Sequence, residues 1–382
     1  MSIDNRNMAD ALLVSPSFLP GRGGIESHLA QVCLALAPRV AVLAPSHRDG
    51  QPIPSDLPYP SIPYEGRMGF PGKDVLDAIA DACGAQRIRK VLLGTPWPLL
   101  LLGPKLKQRG ISYAVMVHGA ELIAPGALPV TRSRIAAALA EADLILPVSH
   151  HTAGKLRALL DKQGLAAPPI VPLRPRVSLD RFDPGVSTRA LRRRLKLHEG
   201  TPMVLALGRL VPRKGTDRLI TAMRGVRSKF PSATLVIAGT GPQEQRLRRM
   251  TAGEAGVIFA GAVTDADAPA LYAAADVFAL PVADRWFGLE IEGLGVVLLE
   301  AGAAATPSVA GRSGGTPEAV VDGETGFLID GKNVYELEQR IVWLLENPID
   351  ANRMGVWAHT HVEREFSGPA LPEELLQWLD GS

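Results

Sequence analysis

WFGLEIEGLGVVLLEAG, residues 286–302, carries two glutamates, Glu292 and Glu300, eight positions apart across a glycine-rich helix start. Eight residues is about two helical turns, a spacing that brings both acids near one face. Gly293 and Gly295 leave the first turn bare, so the unpaired N–H groups near Leu294, Gly295 and Val296 can approach an anionic or hydroxylated ligand. Val296, Val297, Leu298 and Leu299 are apolar and anchor the helix in a core. A phosphorylated, polyhydroxylated ligand suits that design. Two incidental acids on a surface helix are the plain alternative, and the segment alone leaves both open.

Upstream and downstream of this stretch, short apolar runs alternate with amphipathic helical stretches. Residues 203–210 (MVLALGRL), 233–241, 257–263, 276–282 and 307–311 read as strands of one half. Residues 11–18 (ALLVSPSF), 40–46, 90–96, 113–119 and 143–149 read as strands of another. This is the βαβ rhythm of a parallel sheet, met twice, with the Pro-rich, charged segment 171–185 as the linker. The expected fold is therefore α/β, with two Rossmann-like domains whose parallel sheets face each other across a cleft. Ligands of such sheets bind beyond the carboxyl ends of the strands.

Three further features fall at predicted strand ends. Arg209 closes the strand 203–210, and Lys214 follows in a loop opened by Pro212 and Gly215. A guanidinium fork and an ammonium point charge there complement two bridged phosphates, although solvated loop charges explain such pairs as well. In PGRGGIESHLAQV (20–32), Gly21, Gly23 and Gly24 permit a tight turn and close backbone approach to a ligand, or simply a turn, and Ile25, Leu29, Val32 and Leu36 recur at helical spacing. His118 ends the strand YAVMVHG and precedes Gly119, a placement open to a structural or a ligand-binding role.

Taken together, the glutamate pair, LALGRLVPRKGTDRLI (205–220), SGGTPEAVVDGETGFLID (313–330) and the glycine pair after the first strand resemble the retaining family-four glycosyltransferases of GT-B fold. The likeness covers nearly the whole chain. Within that family, RLVPRKG and GLEIEGLGVVLLEA are similar to the actinobacterial mannosyltransferases that extend phosphatidylinositol mannosides. The resemblance implies an N-terminal acceptor domain, 1–178, with a C-terminal helix, 365–382, crossing back to it, and a donor domain, 179–364. It assigns Arg209 and Lys214 to the departing diphosphate, Glu292 to donor-sugar hydroxyls and Glu300 to the ribose. The amides near Leu294, Gly295 and Val296 would serve sugar and phosphate, and His118 would meet the sugar from the acceptor domain. Gly23 and Gly24 would give backbone approach to the ligand. It implies transfer from a nucleotide-sugar, GDP-mannose foremost, to a glycolipid or glycan hydroxyl, with no cofactor.

Departures from the family pattern touch acceptor and hinge detail. Arg174, Pro175, Arg176, Val177 and Ser178 stand where the linker commonly reads Pro-x-Gly-Val-Asp, and Ser17 and Phe18 stand where the relatives tend to have Asp and Phe.

Composition narrows the classes. The 382 residues suffice for two cores, and 41 basic against 39 acidic side chains give +2, too balanced for a nucleic-acid binder. The run RALRRRLK (189–196) reads as a solvated helix face. No apolar run is long enough to span a bilayer and residues 1–10 lack the pattern of a signal peptide, so the expected location is cytoplasmic, in association with the inner face of the membrane if the acceptor is a lipid. For that contact the sequence offers YPSIPYEGRMGFPGK (59–73), read as a loop with apolar tips at Tyr59, Tyr64, Met68 and Phe70, together with QRIRK (86–90). The competing reading folds those aromatics back onto the core. Cys33 and Cys83 are isolated in apolar helical contexts, as buried thiols are. No Asp-x-Asp pair ends a strand, and Asp265 with Asp267 reads as a helix cap, so no metal is expected. An epimerase on the same fold is disfavoured by the glutamate pair beside Arg209 and Lys214. An NAD-dependent oxidoreductase is disfavoured because GRGGIE lacks the G-x-G-x-x-G spacing. A UDP-sugar-dependent transferase with a soluble acceptor and a non-catalytic sugar-nucleotide-binding protein stay open.

Overall fold

A computed structural model describes residues 9–381, apart from Arg22, Asp49, Arg67, Phe70, Pro71, Ile123, Ala124, Phe287, Pro369 and Ala370. Its contacts divide the chain into two units. Residues up to Pro175, with the C-terminal segment from Leu371, form one; Arg176–Gly368 form the other.

The first unit runs β1 (Ala11–Val14), α1 (Gly24–Leu36), β2 (Val40–Pro45), a two-residue ribbon of β3 (His47–Arg48) with β4 (Gln51–Pro52), β5 (Ser61–Tyr64), α2 (Lys73–Gln86), β6 (Lys90–Leu93), α3 (Gly103–Gln108), β7 (Ser112–Val117), α4 (Pro129–Ala140), β8 (Leu144–Pro147) and α5 (His150–Lys162). Its main sheet is parallel with the order β5-β2-β1-β6-β7-β8. Buried on both faces, β1, β2, β6, β7 and β8 are nearly continuous apolar runs rather than alternations. Side chains still alternate between faces. Leu12 and Val14 join the cluster built with α2, α3, α4 and α5, and Ala11 and Leu13 join the one built with α1. Each large apolar side chain so buried contributes about 1.5–3 kcal/mol. Cys33 and Cys83 are buried free thiols within these clusters, and burial pushes the Cys83 thiol up to about 11.

In the second unit come α6 (Arg189–Arg194), β9 (Met203–Leu207), α7 (Thr216–Lys229), β10 (Thr234–Ala238), α8 (Glu244–Met250), β11 (Val257–Gly261), α9 (Ala268–Ala273), β12 (Val277–Leu280), α10 (Val296–Ala303), β13 (Ser308–Gly311), α11 (Thr316–Ala319), β14 (Gly326–Ile329), α12 (Val334–Glu346) and α13 (Pro348–Phe366). The parallel order β11-β10-β9-β12-β13-β14 repeats that of the first unit. Met203 and Leu205 face a cluster with α9 and α10; Val204 and Ala206 face one with α7 and α12. In both sheets the order reverses beside the first strand, between β1 and β6 and between β9 and β12, where ligands of such sheets bind.

The C-terminal helix α14 (Glu373–Asp380) buries Leu375 and Leu379 in the α1 cluster of the first unit, with Leu371 and Trp378 half-buried at its edge. Lys90 Nζ donates to Leu379 O at 2.9 Å, and Arg39 pairs with Asp380 at 2.6 Å.

Three sequence readings need correction. Residues 61–64 are not loop but edge strand β5, where Pro63 is tolerated because β5 pairs only with β2. Tyr59 and Met68 are 6% and 1% exposed, and Tyr64 packs against the core, so these side chains fold inward and do not form apolar tips; Phe70 lies outside the described residues. The run 189–196 is more than a solvated face. Arg192 donates to the carbonyls of Ala274, His198 and Thr201, stapling α6 to its neighbours. Asp267 does not cap α9 with its side chain; it accepts from Arg194 at 2.9 Å, while the Thr264 hydroxyl accepts from the Asp267 N–H.

Candidate active site

In the second unit the chain leaves β9 at Gly208 and Arg209, forms a 3-10 turn over Pro212–Lys214, and enters α7. Arg209 and Lys214 line one small depression at the order reversal of the sheet, with Gly208, Thr216 and Pro281. Arg209 is exposed, and among the described residues its guanidinium has no hydrogen-bond or ion-pair partner. Lys214 points inward. Its Nζ lies 2.9 Å from Glu292 Oε2, and the two side chains are 11% and 9% exposed.

Glu292 does not share the helix of Glu300. It precedes α10 in irregular backbone, and the helix begins only after Gly295, whose φ of +88° favours glycine. What holds Glu292 is the glycine pair of the sequence SGGTPEA. A Cβ at Gly314 would stand 1.8 Å from the Glu292 carbonyl oxygen, and the Gly315 N–H donates to that oxygen at 3.1 Å. The Glu292 N–H donates to Ser313 Oγ at 3.1 Å, and Ser313 donates on to Asp284 Oδ1. Backbone close approach, not helical periodicity, therefore sets the position of this carboxylate.

Arg213 is half-buried and belongs to the same constellation. Its Nε lies 3.4 Å from Glu292 Oε2 and its Nη1 3.6 Å from Glu290 Oε1; Arg285 Nη1 lies 3.0 Å from Glu290 Oε2. Cations and anions thus alternate from Arg285 through Glu290, Arg213 and Glu292 to Lys214. Burial raises the Glu292 carboxyl, but Lys214 and Arg213 outweigh it and hold the group below its ordinary value, so Glu292 is an anion.

Glu300 sits in α10, half-buried, and accepts from the Tyr272 hydroxyl at 2.6 Å. Burial pushes this carboxyl up, and the Tyr272 hydrogen bond and Arg181 offset only part of that. Tyr272, buried in the cluster with α9 and α10, is a neighbour the sequence reading missed; nothing in its spacing from Glu300 announces it. Among the described residues, the amides of Leu294, Gly295 and Val296 donate to no protein acceptor, which leaves that helix start bare as expected. Leu294 is buried and Val296 half-buried.

In the first unit His118 follows β7 and is half-buried. Its Nε2 stands 2.7 Å from Gly94 O, beyond the end of β6, and its backbone N–H donates to Glu121. Gly23 and Gly24 lie at the start of α1. A Cβ on Gly23 would meet the Glu26 carboxylate at 2.6 Å, and Glu26 pairs with Arg48 at 3.1 Å. A carboxylate of the chain itself thus stands over this helix start. The structure brings Lys214 and Glu292 together in the second unit, with Arg209 beside Lys214; Gly23, Gly24 and His118 are residues of the first. Among the described residues no group of three His, Cys, Asp or Glu side chains is placed to hold a metal ion.

The sequence family Glycosyl transferases group 1 matches residues 187–359, a span that contains Arg209, Lys214, Glu292 and Glu300. Over 379 residues the chain is 35% identical to the GDP-mannose-dependent alpha-(1-6)-phosphatidylinositol monomannoside mannosyltransferase of Mycolicibacterium smegmatis, covering 95% of this chain and 97% of that one. The chain belongs to the glycosyl transferases of group 1. It is 33% identical over 375 residues to the GDP-mannose-dependent monoacylated alpha-(1-6)-phosphatidylinositol monomannoside mannosyltransferase of Corynebacterium glutamicum, covering 96% of this chain and 97% of that one. Among solved structures, sucrose-phosphate synthase from Thermosynechococcus elongatus superposes with a TM-score of 0.79 at 20% identity, covering 97% of both chains, a likeness of fold alone. The fold is GT-B, with two Rossmann-like sheets, and the protein is a glycosyltransferase. Within this group 1 enzyme the constellation is suited to nucleotide-sugar chemistry. It offers four cations, Arg209, Arg213, Lys214 and Arg285, with a buried carboxylate anion and a bare helix start within one unit.

Proposed function

We propose that this glycosyltransferase moves mannose from GDP-mannose to a hydroxyl of a phosphatidylinositol mannoside glycolipid, with retention of anomeric configuration and without a metal ion. The observation that carries the reading is the 35% identity over nearly the full length of an enzyme of that printed activity. In this reading 179–364 is the donor domain and 1–178, with the C-terminal helix, the acceptor domain. Arg209 and Lys214 take the diphosphate, Glu292 accepts from sugar hydroxyls, and Glu300 accepts from the ribose. The amides of Leu294, Gly295 and Val296 donate to sugar and phosphate at the positive end of α10. His118 meets the sugar, and Gly23 and Gly24 give close backbone approach from the acceptor side.

During transfer the bond from the anomeric carbon to the diphosphate oxygen breaks as the acceptor oxygen bonds to the same face of that carbon. The hydroxyl proton passes to the leaving phosphate oxygen. Negative charge grows on the diphosphate and positive charge on the sugar ring. Arg209 and Lys214 stabilise the first, and the Glu292 carboxylate lies close to the second. Each charge-assisted contact contributes about 1.5–3 kcal/mol.

A lipid acceptor requires contact with a membrane surface from the cytoplasmic side. Among the described residues no helix is long and apolar enough to cross a bilayer, so this contact is peripheral, and exposed Arg87 and Arg89 supply positive charge for it.

Thermal shifts against GDP, UDP, ADP and their sugars test the donor. Ligand at 100 times its dissociation constant adds about 2.7 kcal/mol. A shift with GDP and GDP-mannose at concentrations where UDP-glucose gives none supports the reading; the reverse preference replaces it with a UDP-sugar donor. Nucleotide binding without detectable transfer or donor hydrolysis would make the chain a binding protein.

A further inference from the structure

His28 lies on α1 next to Leu29 and is 2% exposed. An imidazole in such a place costs more to bury than the leucine and valine that occupy the neighbouring core positions. Its ring stands edge-to-face against His118, with centroids 5.5 Å apart and planes at 90°. On the other side, His118 Nε2 is 2.7 Å from the Gly94 carbonyl. A carbonyl oxygen only accepts, so the contact requires the hydrogen on Nε2, and neutral His118 then keeps its lone pair on Nδ1. Turning the ring over would place a carbon against the carbonyl and lose the hydrogen bond. The backbone at Gly94 is held by its N–H, which donates to Val14 O at 2.9 Å, and is closely packed, since a Cβ there would lie 3.1 Å from side-chain atoms of both Leu29 and Ser15.

We propose that His28 is a positioning residue. Its ring and the Gly94 carbonyl hold His118 as the Nε2–H tautomer, so that Nδ1 is the ring atom that accepts a hydrogen bond from a hydroxyl of the sugar. This rests on the reading that His118 meets the sugar, and it adds which atom does so and what fixes it. The orientation is set before ligand arrives, by packing from α1 and by a backbone group at the end of β6.

The test combines histidine nitrogen spectra of the full-length protein with kinetics of three variants, His28→Leu, His28→Phe and His118→Ala. The wild-type spectrum is expected to show His118 protonated on Nε2, and His28→Leu to show a mixture of tautomers. His28→Leu is expected to lower kcat by roughly 10- to 100-fold, because a group misplaced by about 1 Å can cost about 10²-fold. Its donor KM and its affinity for GDP stay unchanged. His28→Phe, which restores an aromatic edge, recovers most of the lost kcat. Protonation of wild-type His118 on Nδ1, full kcat in His28→Leu, or loss of GDP affinity in step with kcat each overturns the proposal. Full turnover in His118→Ala would instead remove the sugar contact of His118, while the spectra still decide which tautomer is held.

Discussion

Lys214 Nζ and Glu292 Oε2 form a 2.9 Å ion pair between two nearly buried side chains. In the proposed reaction they serve different parts of the donor, Lys214 the diphosphate and Glu292 the sugar. Without ligand each satisfies the other, and Arg213 shares the same carboxylate oxygen. In that proposal donor binding exchanges a protein ion pair for two ligand contacts. The cost of separating buried charges is limited because phosphate replaces carboxylate beside the ammonium.

Glu292→Gln tests that exchange. Turnover is expected to fall roughly 10²- to 10³-fold, the scale for removing one preorganised electrostatic group. GDP affinity is expected to rise rather than fall, because Lys214 no longer has to leave a carboxylate. Calorimetry with GDP and with GDP-mannose measures both; weaker GDP binding in the variant contradicts the exchange.

Arg209→Ala and Lys214→Ala are each expected to reduce transfer at saturating donor by about 10²-fold or more. They differ in the empty protein. Arg209 is exposed and unpaired among the described residues, so its loss leaves the melting temperature unchanged. Loss of Lys214 leaves Glu292 with Arg213 alone and is expected to destabilise the fold by about 1–3 kcal/mol. Equal melting temperatures would contradict the buried pair.

The two glutamates have opposite pH signatures. Glu292 is held below its ordinary value, so its stabilisation is present above that value and is lost as pH falls through the depressed one. Glu300 is raised, so its contribution is present below the ordinary value and is lost as pH rises through the raised one. Glu300→Gln is therefore expected to melt higher than wild type at neutral pH and to lose that advantage near about pH 4, where an ordinary carboxyl titrates. The same variant should bind nucleotide about tenfold or more weakly, the loss of one charge-assisted contact. Melting curves across pH, with and without GDP, separate these effects; lower stability at neutral pH contradicts the burial argument.

Gly314→Ala is expected to abolish turnover although it touches no proposed ligand contact. Its Cβ would fall 1.8 Å from the Glu292 carbonyl, so the backbone carrying Glu292 must shift. A destabilisation of about 1–3 kcal/mol accompanies that shift. Wild-type activity in this variant would show that Glu292 does not depend on the glycine pair.

The parallel sheets were readable because their central strands are apolar on both faces; Arg209, Lys214, Glu292 and Glu300 were singled out because family motifs fall at expected strand ends and a helix start. Strand β5 escaped because SIPY contains a proline allowed only at an edge, and β14 because GFLI is short and follows a turn. The ion pairs of Arg213 with Glu290 and Glu292 left no trace in the sequence, because a charge between two others in a loop has no periodicity from which to infer burial. The partnership of Tyr272 with Glu300 spans 28 residues of sequence and arises only when α9 packs beside α10. Helical spacing put Glu292 and Glu300 on one helix face, whereas the φ of Gly295 starts the helix after Glu292.

The most direct test of the central claim is a product assay with the purified full-length protein, GDP-mannose and phosphatidylinositol monomannoside in anionic vesicles, run with and without EDTA. UDP-glucose serves as the competing donor. The account predicts stoichiometric GDP release, an α-linked mannosyl product by NMR, and the same rate with EDTA. Transfer only from UDP-glucose, a β-linked product, or a rate abolished by EDTA would contradict it.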